Sequence, residues 1–191
     1  MIHEVLRYLM NKSIYQLPKA SLMKITDFSE AKEFFMSDFR EYYSQEQMES
    51  RYILCEPTLI GILCYRTARA FHEVDDDHSA LVVSNLGRFF SGFELYYSAK
   101  IGHSLKINHG LSTVVGARSV LGNHVLLHHG ITIGAIERKS PIIEDNVVVY
   151  PGAKILGGIT IGANSVIGAN AIVIENIKPG STIVSQLGRL L

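Results

Sequence analysis

An aliphatic residue recurs at every sixth position along most of the stretch from Leu95 to Ile177, and small or polar residues fill most of the intervening positions. A short fixed period is the signature of a solenoid, and a period of six is typical of a parallel β-helix, in which three hexads complete one triangular coil. The first residue of each hexad is predicted to fill the interior of the prism. Gly or Asn at the second and fourth positions predicts tight turns with positive φ. A small fifth residue is predicted to fit the inner edge at five positions: Ala99, Val125, Ala153, Ser165 and Ala171.

The hexapeptide register is broken twice. The step from Ile107 to Val115 is eight residues and the step from Ile133 to Ile143 is ten, so two and four extra residues are expected there. Insertions in a solenoid map to one working face. Four of the eight histidines lie at or between these breaks: His109, His124, His128 and His129. This clustering marks the stretch as the candidate site.

Residues 1–90 have a different pattern, with aromatic and charged residues at helical spacing. Four helices are predicted: one around Leu6, Leu9 and Met10, one over 28–43 with Asp27 as its cap, one over 58–73 with Pro57 in its first turn, and one over about 79–90. Such a region can cover the open end of a solenoid, whose strand edges are otherwise unpaired.

The predicted fold class is therefore α+β, with an α-helical cap domain at residues 1–90 and a β-helix of hexapeptide repeats at residues 91–191. The last residues, 176–191, depart from the repeat and can close the final coil.

Composition excludes several classes of function. Lys and Arg number 18, as do Asp and Glu, and no long basic block occurs, so nothing indicates nucleic acid or a membrane surface as a partner. The longest apolar stretch, TLIGILC, is too short to span a bilayer, and the first residues lack a signal-peptide core, so a cytoplasmic protein is expected. Cys55 and Cys64 form no CxxC motif, which argues against a disulfide scaffold or a zinc knuckle.

Coil length predicts which residues of neighbouring coils lie side by side. With two extra residues in the turn, Asn108 and His109 are expected about 4.8 Å, one strand spacing, from His128 and His129. Glu94 precedes His109 by fifteen residues and is expected near the preceding coil. A carboxylate that holds one imidazole nitrogen fixes the tautomer of the ring, which suits a general base.

The runs SAKIGHSLKINHGLSTVVGARSVLGNHVLLHHGITIGA and PGAKILGGITIGANSVIGANAIV resemble the serine acetyltransferase family of hexapeptide-repeat acyltransferases. CEPTL followed by CYRTARAFH is similar to that family's helical segment. The resemblance implies a left-handed parallel β-helix, a homotrimer, and acetyl-CoA bound as co-substrate between adjacent subunits. Direct transfer of the acetyl group to a hydroxyl is expected, because no Cys or Ser nucleophile lies beside His109, and no metal ion is expected.

The resemblance assigns roles residue by residue. His109 matches the catalytic base and Glu94 the carboxylate that orients it. Residues matching the acceptor-binding side are Asn108, Glu56 and His128, and those matching the CoA-binding side are Gly134, Ala135, Pro151 and Ala169. Tyr65 and Arg66 match a helical Tyr-Arg pair whose role stays open.

The acceptor side departs from the family pattern. Where the family has Arg-His-Pro, this chain has Lys139, Ser140 and Pro141, preceded by Arg138, in a shorter loop. Lys presents a point charge where Arg presents a planar fork, so the exchange is not conservative. Arg138 and Lys139 are predicted to bind the acceptor, with a CoA phosphate as the alternative ligand.

Three alternatives remain open at this point. The acceptor is predicted to resemble L-serine, but a sugar of a surface polysaccharide also fits the altered loop. A non-catalytic solenoid that serves as an assembly module is the second alternative. A zinc hydratase using His124, His128 and His129 is the third, although adjacent His128 and His129 should point to opposite sides of a strand.

Overall fold

In the computed structural model, residues 2–14, 16–44 and 49–186 are described. Within these ranges the chain forms six α-helices and one short 3-10 helix before the first strand: α1 Ile2–Asn11, α2 Lys19–Lys24, the 3-10 helix Ile25–Asp27, α3 Ser29–Phe39, α4 Ser50–Cys55, α5 Pro57–Glu73 and α6 Asp77–Ser91. No helix in the described part of the chain has the length and apolar character needed to cross a bilayer.

Short parallel strands follow the helices. They are β1 Glu94–Leu95, β2 Lys100–Ile101, β3 Lys106–Ile107, β4 Val114–Val115, β5 Val120–Leu121, β6 Leu126–Leu127, β7 Thr132–Gly134, β8 Ile142–Ile143, β9 Val148–Val149, β10 Lys154–Leu156, β11 Thr160–Ile161, β12 Val166–Ile167, β13 Ile172–Val173 and β14 Thr182–Ile183. The first sheet has the order β1-β4-β7-β10-β13, the second β2-β5-β8-β11, and the third β3-β6-β9-β12-β14. Three sheets whose strands alternate along the chain form a parallel β-solenoid, which confirms the predicted fold class.

The interior of the solenoid follows the hexapeptide pattern. All five predicted small residues at the fifth position are buried. Positive φ occurs at the fourth position, as at Asn164 and Asn170, so the predicted turn is confirmed there. At the second position the prediction is wrong, because Gly102 and Gly122 do not have positive φ. Gly102 is required by close stacking instead, since a Cβ there would lie 2.7 Å from the backbone of Gly122 in the next coil.

Both register breaks are confirmed by the strand pairing. An undisturbed coil pairs Lys154 with Ile172, a step of eighteen residues. Lys106 pairs with Leu126, a step of twenty, as the two-residue insertion predicts. Val120 pairs with Ile142, a step of twenty-two, as the four-residue loop predicts.

The open edge of the first coil is closed by polar side chains of the helical region instead of a further strand. Tyr65 donates from its hydroxyl to the carbonyl of Ala99 at 2.8 Å, and the Asp38 carboxylate accepts from the N–H of Leu105 at 2.8 Å. The side chains that bond to the backbone of this coil are Ser37, Asp38, Tyr42, Tyr65, Arg66 and Arg69. These bonds satisfy groups that an adjacent strand pairs in later coils, so the helices cap the solenoid as predicted.

A buried ion pair anchors this cap. Arg66 donates from Nε and Nη2 to the two oxygens of Asp38 at 2.8 and 2.9 Å, and both side chains are buried. The same guanidinium donates to the carbonyls of Ile101 and Gly102 at 2.6 Å each. Burial raises the pKa of the Asp38 carboxyl, and the guanidinium beside it opposes that rise. The role of Tyr65 and Arg66 that the sequence left open is therefore structural.

The helix boundaries correct the sequence prediction at three points. Asp27 does not cap α3, because it ends the preceding 3-10 helix and Phe28 occupies the cap position. The last helix begins at Asp77, since the Asp76 carboxylate accepts from the N–H of Ser79 and caps it. The short helices α2 and α4 were not predicted, because six residues are too few to show a helical period.

The end of the chain continues the solenoid. Ile177 bridges to Ile161, and β14 pairs with β12. The prediction that this segment closes the last coil is confirmed for these residues, and 187–191 lie outside the described residues.

Candidate active site

The predicted site residues fall on two different corners of the triangular solenoid. The histidine corner joins the third sheet to the first and consists of residues 108–113, 128–131, 150–153 and 168–171. The loop corner joins the first sheet to the second and contains the insertion at residues 135–141. The first sheet separates the two corners within one chain.

The first turn of the histidine corner carries His109, which is exposed and has φ of 62°. Turn residues elsewhere in the solenoid, such as Ser104 and Asn146, also have positive φ, so this value belongs to the turn geometry of the coils. Gly110 follows because a Cβ there would lie 2.6 Å from the buried ring of Phe93. The N–H of Ser112 donates to the carbonyl of Gly92 at 2.9 Å. The turn is therefore held against the end of the helical region.

Thr113 joins this turn to the next coil. Its hydroxyl donates to the carbonyl of His128 at 2.7 Å and accepts from the N–H of Ile131 at 3.3 Å. Thr113 is fully buried. Two consecutive turns of the histidine corner are thereby fixed relative to each other.

Three imidazoles, those of His109, His128 and His129, lie along the corner, and they contact different neighbouring rings. The ring centroids of His109 and His129 lie 6.3 Å apart, which confirms the predicted adjacency of these coils. His128 stacks on Tyr150 with centroids 5.1 Å apart and an angle of 10°. Burial, followed by the nearby His129 and His109, lowers the pKa of His128 below 6.5. These surroundings therefore favour the neutral form of the His128 imidazole.

The fourth clustered histidine, His124, lies on the remaining corner. Its ring is 4.9 Å from that of His103, and its Nδ1 lies 3.8 Å from Glu41. Within residues 2–14, 16–44 and 49–186, no three His, Cys, Asp or Glu side chains are grouped to hold a metal ion.

The predicted acceptor-binding residues Asn108 and Glu56 approach the corner from two elements. The N–H of Asn108 donates to the carbonyl of Leu127 at 2.8 Å, which fixes it at the end of β3. Glu56 caps α5 by accepting from the N–H of Thr58 at 3.3 Å. Glu56 also lies near enough to Tyr42 that its charge, together with burial, raises the pKa of that phenol.

Glu94 lies at the start of the first sheet, paired with Val114. Its Oε2 lies 3.6 Å from Nη1 of Arg88, an exposed residue near the end of α6. The Glu94 carboxylate forms this ion pair, and the pairing of Glu94 with His109 stays a prediction.

Pro151 and Ala169 lie in the histidine corner beyond the imidazoles. The N–H of Gly152 donates to the carbonyl of His129 at 3.0 Å, and the N–H of Asn170 donates to the carbonyl of Pro151 at 2.9 Å. These bonds place the two residues in successive coils below His129.

Gly134, Ala135, Arg138 and Lys139 lie at the loop corner instead. Ile136 and Lys139 form a two-residue hairpin, with reciprocal backbone hydrogen bonds of 3.1 and 2.9 Å. The two residues at its tip, Glu137 and Arg138, have φ of 49° and 66°. The hairpin exposes Arg138 and Lys139 to solvent.

Sequence reasoning did not identify Tyr42, Thr113, Tyr150 or Lys154 as residues of this region. The ammonium of Lys154 donates to the carbonyl of Gly130 at 2.6 Å and so braces the histidine corner. The sequence could have identified Tyr150 and Lys154, because a coil with the four-residue loop is twenty-two residues long, as between Val120 and Ile142. Tyr150 lies twenty-two residues after His128, and Lys154 lies twenty-two residues after Thr132.

The coils of six-residue repeats form a hexapeptide-repeat solenoid. A family model described as bacterial transferase hexapeptide (six repeats) matches residues 140–175. A serine acetyltransferase of Helicobacter pylori is 37% identical over 143 residues, which are 73% of this chain and 84% of the relative. One of Bacillus licheniformis is 35% identical over 73% of this chain and 66% of its own length. This chain belongs to the serine acetyltransferase family.

Solved structures agree with that assignment. Neisseria gonorrhoeae serine acetyltransferase in complex with serine superposes with a TM-score of 0.81 at 25% identity, covering 97% of this chain and 82% of that one. A serine acetyltransferase in complex with CoA gives a TM-score of 0.76 at 25% identity, covering 95% and 79%.

Proposed function

We propose that this protein transfers the acetyl group of acetyl-CoA to the hydroxyl of L-serine, with His109 as general base. The observation that carries the proposal is the position of His109, exposed in the register-breaking turn of the histidine corner with its ring 6.3 Å from that of His129. The names of the relatives, and the serine and CoA present in two structural neighbours, support the same acceptor and co-substrate.

In the proposed reaction, His109 takes the proton of the acceptor hydroxyl as its oxygen attacks the thioester carbonyl. The new C–O bond forms, the C–S bond breaks, and the CoA thiolate receives the proton from the imidazolium. The products are an O-acetyl ester and free CoA. Glu94 holds the second imidazole nitrogen and stabilises the transient positive charge. Direct transfer is favoured over an acyl-enzyme, since the sequence neighbours of His109, Asn108 and Gly110, are not nucleophiles and Cys64 is buried in α5.

The acceptor is bound, in this proposal, by groups matched to a zwitterion. Glu56 meets the ammonium, and Lys139 or Arg138 meets the carboxylate. Asn108, beside the base, donates or accepts a hydrogen bond to the hydroxyl. His128, neutral against Tyr150, borders the same space as a polar wall.

Acetyl-CoA is proposed to lie along the histidine corner, over Pro151 and Ala169, with Gly134 and Ala135 on its other side. Because those two pairs occupy different corners of one chain, the complete site requires the loop corner of a neighbouring chain, and we propose a homotrimer. Outward apolar side chains support such an assembly. Ile172 is 70% exposed and Ile174 is 65% exposed in the single chain.

A sugar acceptor is the second candidate. Asn108 and Ser140 are neutral, and both stand where the family pattern has a charged or ionisable residue. Neutral donors and acceptors suit the hydroxyls of a sugar better than the ionic ends of an amino acid.

An assay of CoA thiol release distinguishes the acceptors. Purified protein is incubated with acetyl-CoA and, in turn, L-serine, L-homoserine and a panel of nucleotide sugars. Saturable release with L-serine is expected, and Lys139→Ala should raise the KM for serine about tenfold or more, since a charge-assisted hydrogen bond contributes about 1.5–3 kcal/mol. Saturable activity on a sugar with none on serine would replace the acceptor. A non-catalytic solenoid would be favoured if the protein showed no turnover and no binding of CoA in calorimetry. At about millimolar CoA, calorimetry detects binding free energies of about −4 kcal/mol or stronger.

A further inference from the structure

Tyr42 makes two hydrogen bonds to a single backbone residue next to the catalytic turn. Its hydroxyl accepts from the N–H of Ile107 at 2.6 Å and donates to the carbonyl of Ile107 at 3.0 Å. Ile107 is the last residue of β3, and Asn108 and His109 follow it directly.

The Tyr42 hydroxyl makes the hydrogen bonds to Ile107 that a preceding strand would otherwise make. β3 is the edge strand of the third sheet, so no preceding coil pairs with its outer side. In later coils the C=O of the equivalent residues, such as Leu127 and Val149, accepts from a backbone N–H of the preceding coil. At Ile107 both groups depend on the position of one side chain, and any movement of Tyr42 displaces the start of the turn that holds His109 at φ of 62°.

The surroundings of Tyr42 keep its hydroxyl protonated. Burial, and then the charges of Asp38, Glu56 and Glu41, raise the pKa of the phenol, and the bond from Ile107 only partly opposes them. The ammonium of Lys106 lies 5.8 Å from the ring centroid. A neutral phenol retains the one proton that the bond to the Ile107 carbonyl needs.

We propose that Tyr42 is a positioning residue for the reaction, which sets the catalytic turn from the helical side through its two hydrogen bonds to Ile107. This proposal rests on the proposed role of His109. Tyr42 touches neither acceptor nor acetyl-CoA in this scheme and acts through the backbone of Ile107. Small displacements of a catalytic group reduce turnover steeply, about 10²-fold for 1 Å.

The test compares Tyr42→Phe with Tyr65→Phe. Both variants keep the aromatic ring and delete one cap hydroxyl that bonds to the first coil, but Tyr65 bonds to Ala99, far along the coil from His109. Both should lower the melting temperature. Only Tyr42→Phe should lower kcat, by about tenfold or more, with the KM for acetyl-CoA unchanged. Equal kcat values in the two variants would overturn the proposal.

Two measurements without turnover separate this proposal from the proposed function. In protein with isotope-labelled histidine, the His109 imidazole signals, assigned with His109→Ala, should shift in Tyr42→Phe and stay in Tyr65→Phe. In the wild-type protein, the Ile107 amide should exchange with solvent as slowly as the paired amides of β6. Unmoved His109 signals or a rapidly exchanging Ile107 amide would each overturn the positioning role. An inactive wild-type protein with both expected signals would overturn only the proposed function.

Discussion

The rings of His109 and His129 lie 6.3 Å apart on consecutive coils, although the residues are twenty positions apart in the sequence. The two extra residues in the turn lengthen that coil to twenty residues, so His109 and His129 occupy equivalent positions on neighbouring coils. The register break that exposes His109 therefore also determines which histidine it faces.

Replacing His109 with Ala should lower kcat by about 10²–10⁴-fold, because the proposed general base is lost. The exposed position of the ring predicts an unchanged melting temperature. His124→Ala is the matched control, since it removes an exposed histidine at positive φ from another corner. Steady-state CoA release measures both variants, and wild-type activity in His109→Ala would remove this residue from the mechanism.

Glu94→Gln keeps the size of the side chain and removes its charge, so kcat should fall by about tenfold or more if the carboxylate orients the base. Arg88→Ala breaks the 3.6 Å ion pair from the other side and should leave kcat within about twofold, because exposed ion pairs contribute little. Equal losses in both variants would assign Glu94 to the ion pair instead of to His109.

Mixing two inactive variants tests the shared site. His109→Ala damages the histidine corner, and the double variant Arg138→Ala, Lys139→Ala damages the loop corner. Unfolding and refolding them together in equal amounts should restore about a quarter of wild-type activity, because random mixed trimers pair intact corners in about one interface of four. Light scattering on the wild type should give the mass of a trimer. A monomer, or no recovery on mixing, contradicts a site built from two chains.

Breaking the Asp38–Arg66 pair should destabilise the fold strongly. Arg66→Ala leaves the Asp38 carboxylate buried without its partner, at a cost of about 3–5 kcal/mol in the free energy of unfolding. Arg51→Ala is the control, because Arg51 pairs with Glu49 at 3.0 Å with both side chains exposed, and exposed pairs contribute about 0.2–1 kcal/mol. Urea unfolding followed by circular dichroism measures both changes, and similar midpoints would contradict the anchoring role.

His128 predicts a specific pH dependence of stability. Its pKa is lowered in the folded protein from 6.5. Between the two pKa values the unfolded chain therefore binds a proton at His128 and the folded chain does not. Stability is therefore complete above about pH 6.5 and falls as the pH drops toward the lowered pKa. His128→Phe keeps a ring against Tyr150 and should flatten this fall in the melting temperature. Parallel curves for wild type and variant would contradict the prediction.

Much of the solenoid is predictable because the hexapeptide rule is local. Burial at the first and fifth positions, both register breaks and the adjacency of His109 and His129 all follow from counting residues. The second-position glycines were misinterpreted because their cause is not local. Gly102 is needed because the backbone of Gly122 in the next coil lies too close for a Cβ, and a sequence does not show how closely two coils approach.

The helical side of the site is less predictable for the same reason. Tyr42 lies sixty-five residues before its partner Ile107, and Arg66 lies twenty-eight residues after Asp38. No period relates these positions, and aromatic or charged residues on helices have many alternative uses. Only the packing of helices on the first coil selects these particular pairs.

The side-chain cap also determines where this protein can change its length in evolution. Later coils meet through backbone pairs, with a step of eighteen residues where the coil is undisturbed, as between Lys154 and Ile172. Any coil with the hexapeptide pattern therefore fits among them. The first coil instead meets individual side chains that recognise particular carbonyl and N–H groups. Duplication of a coil beyond Asn170 is therefore compatible with the fold. A coil inserted before Glu94 would instead separate the helices from the carbonyl and N–H groups of the first coil to which their side chains bond. The solenoid is free to lengthen at its carboxyl end, while the distance from the helices to His109 is fixed.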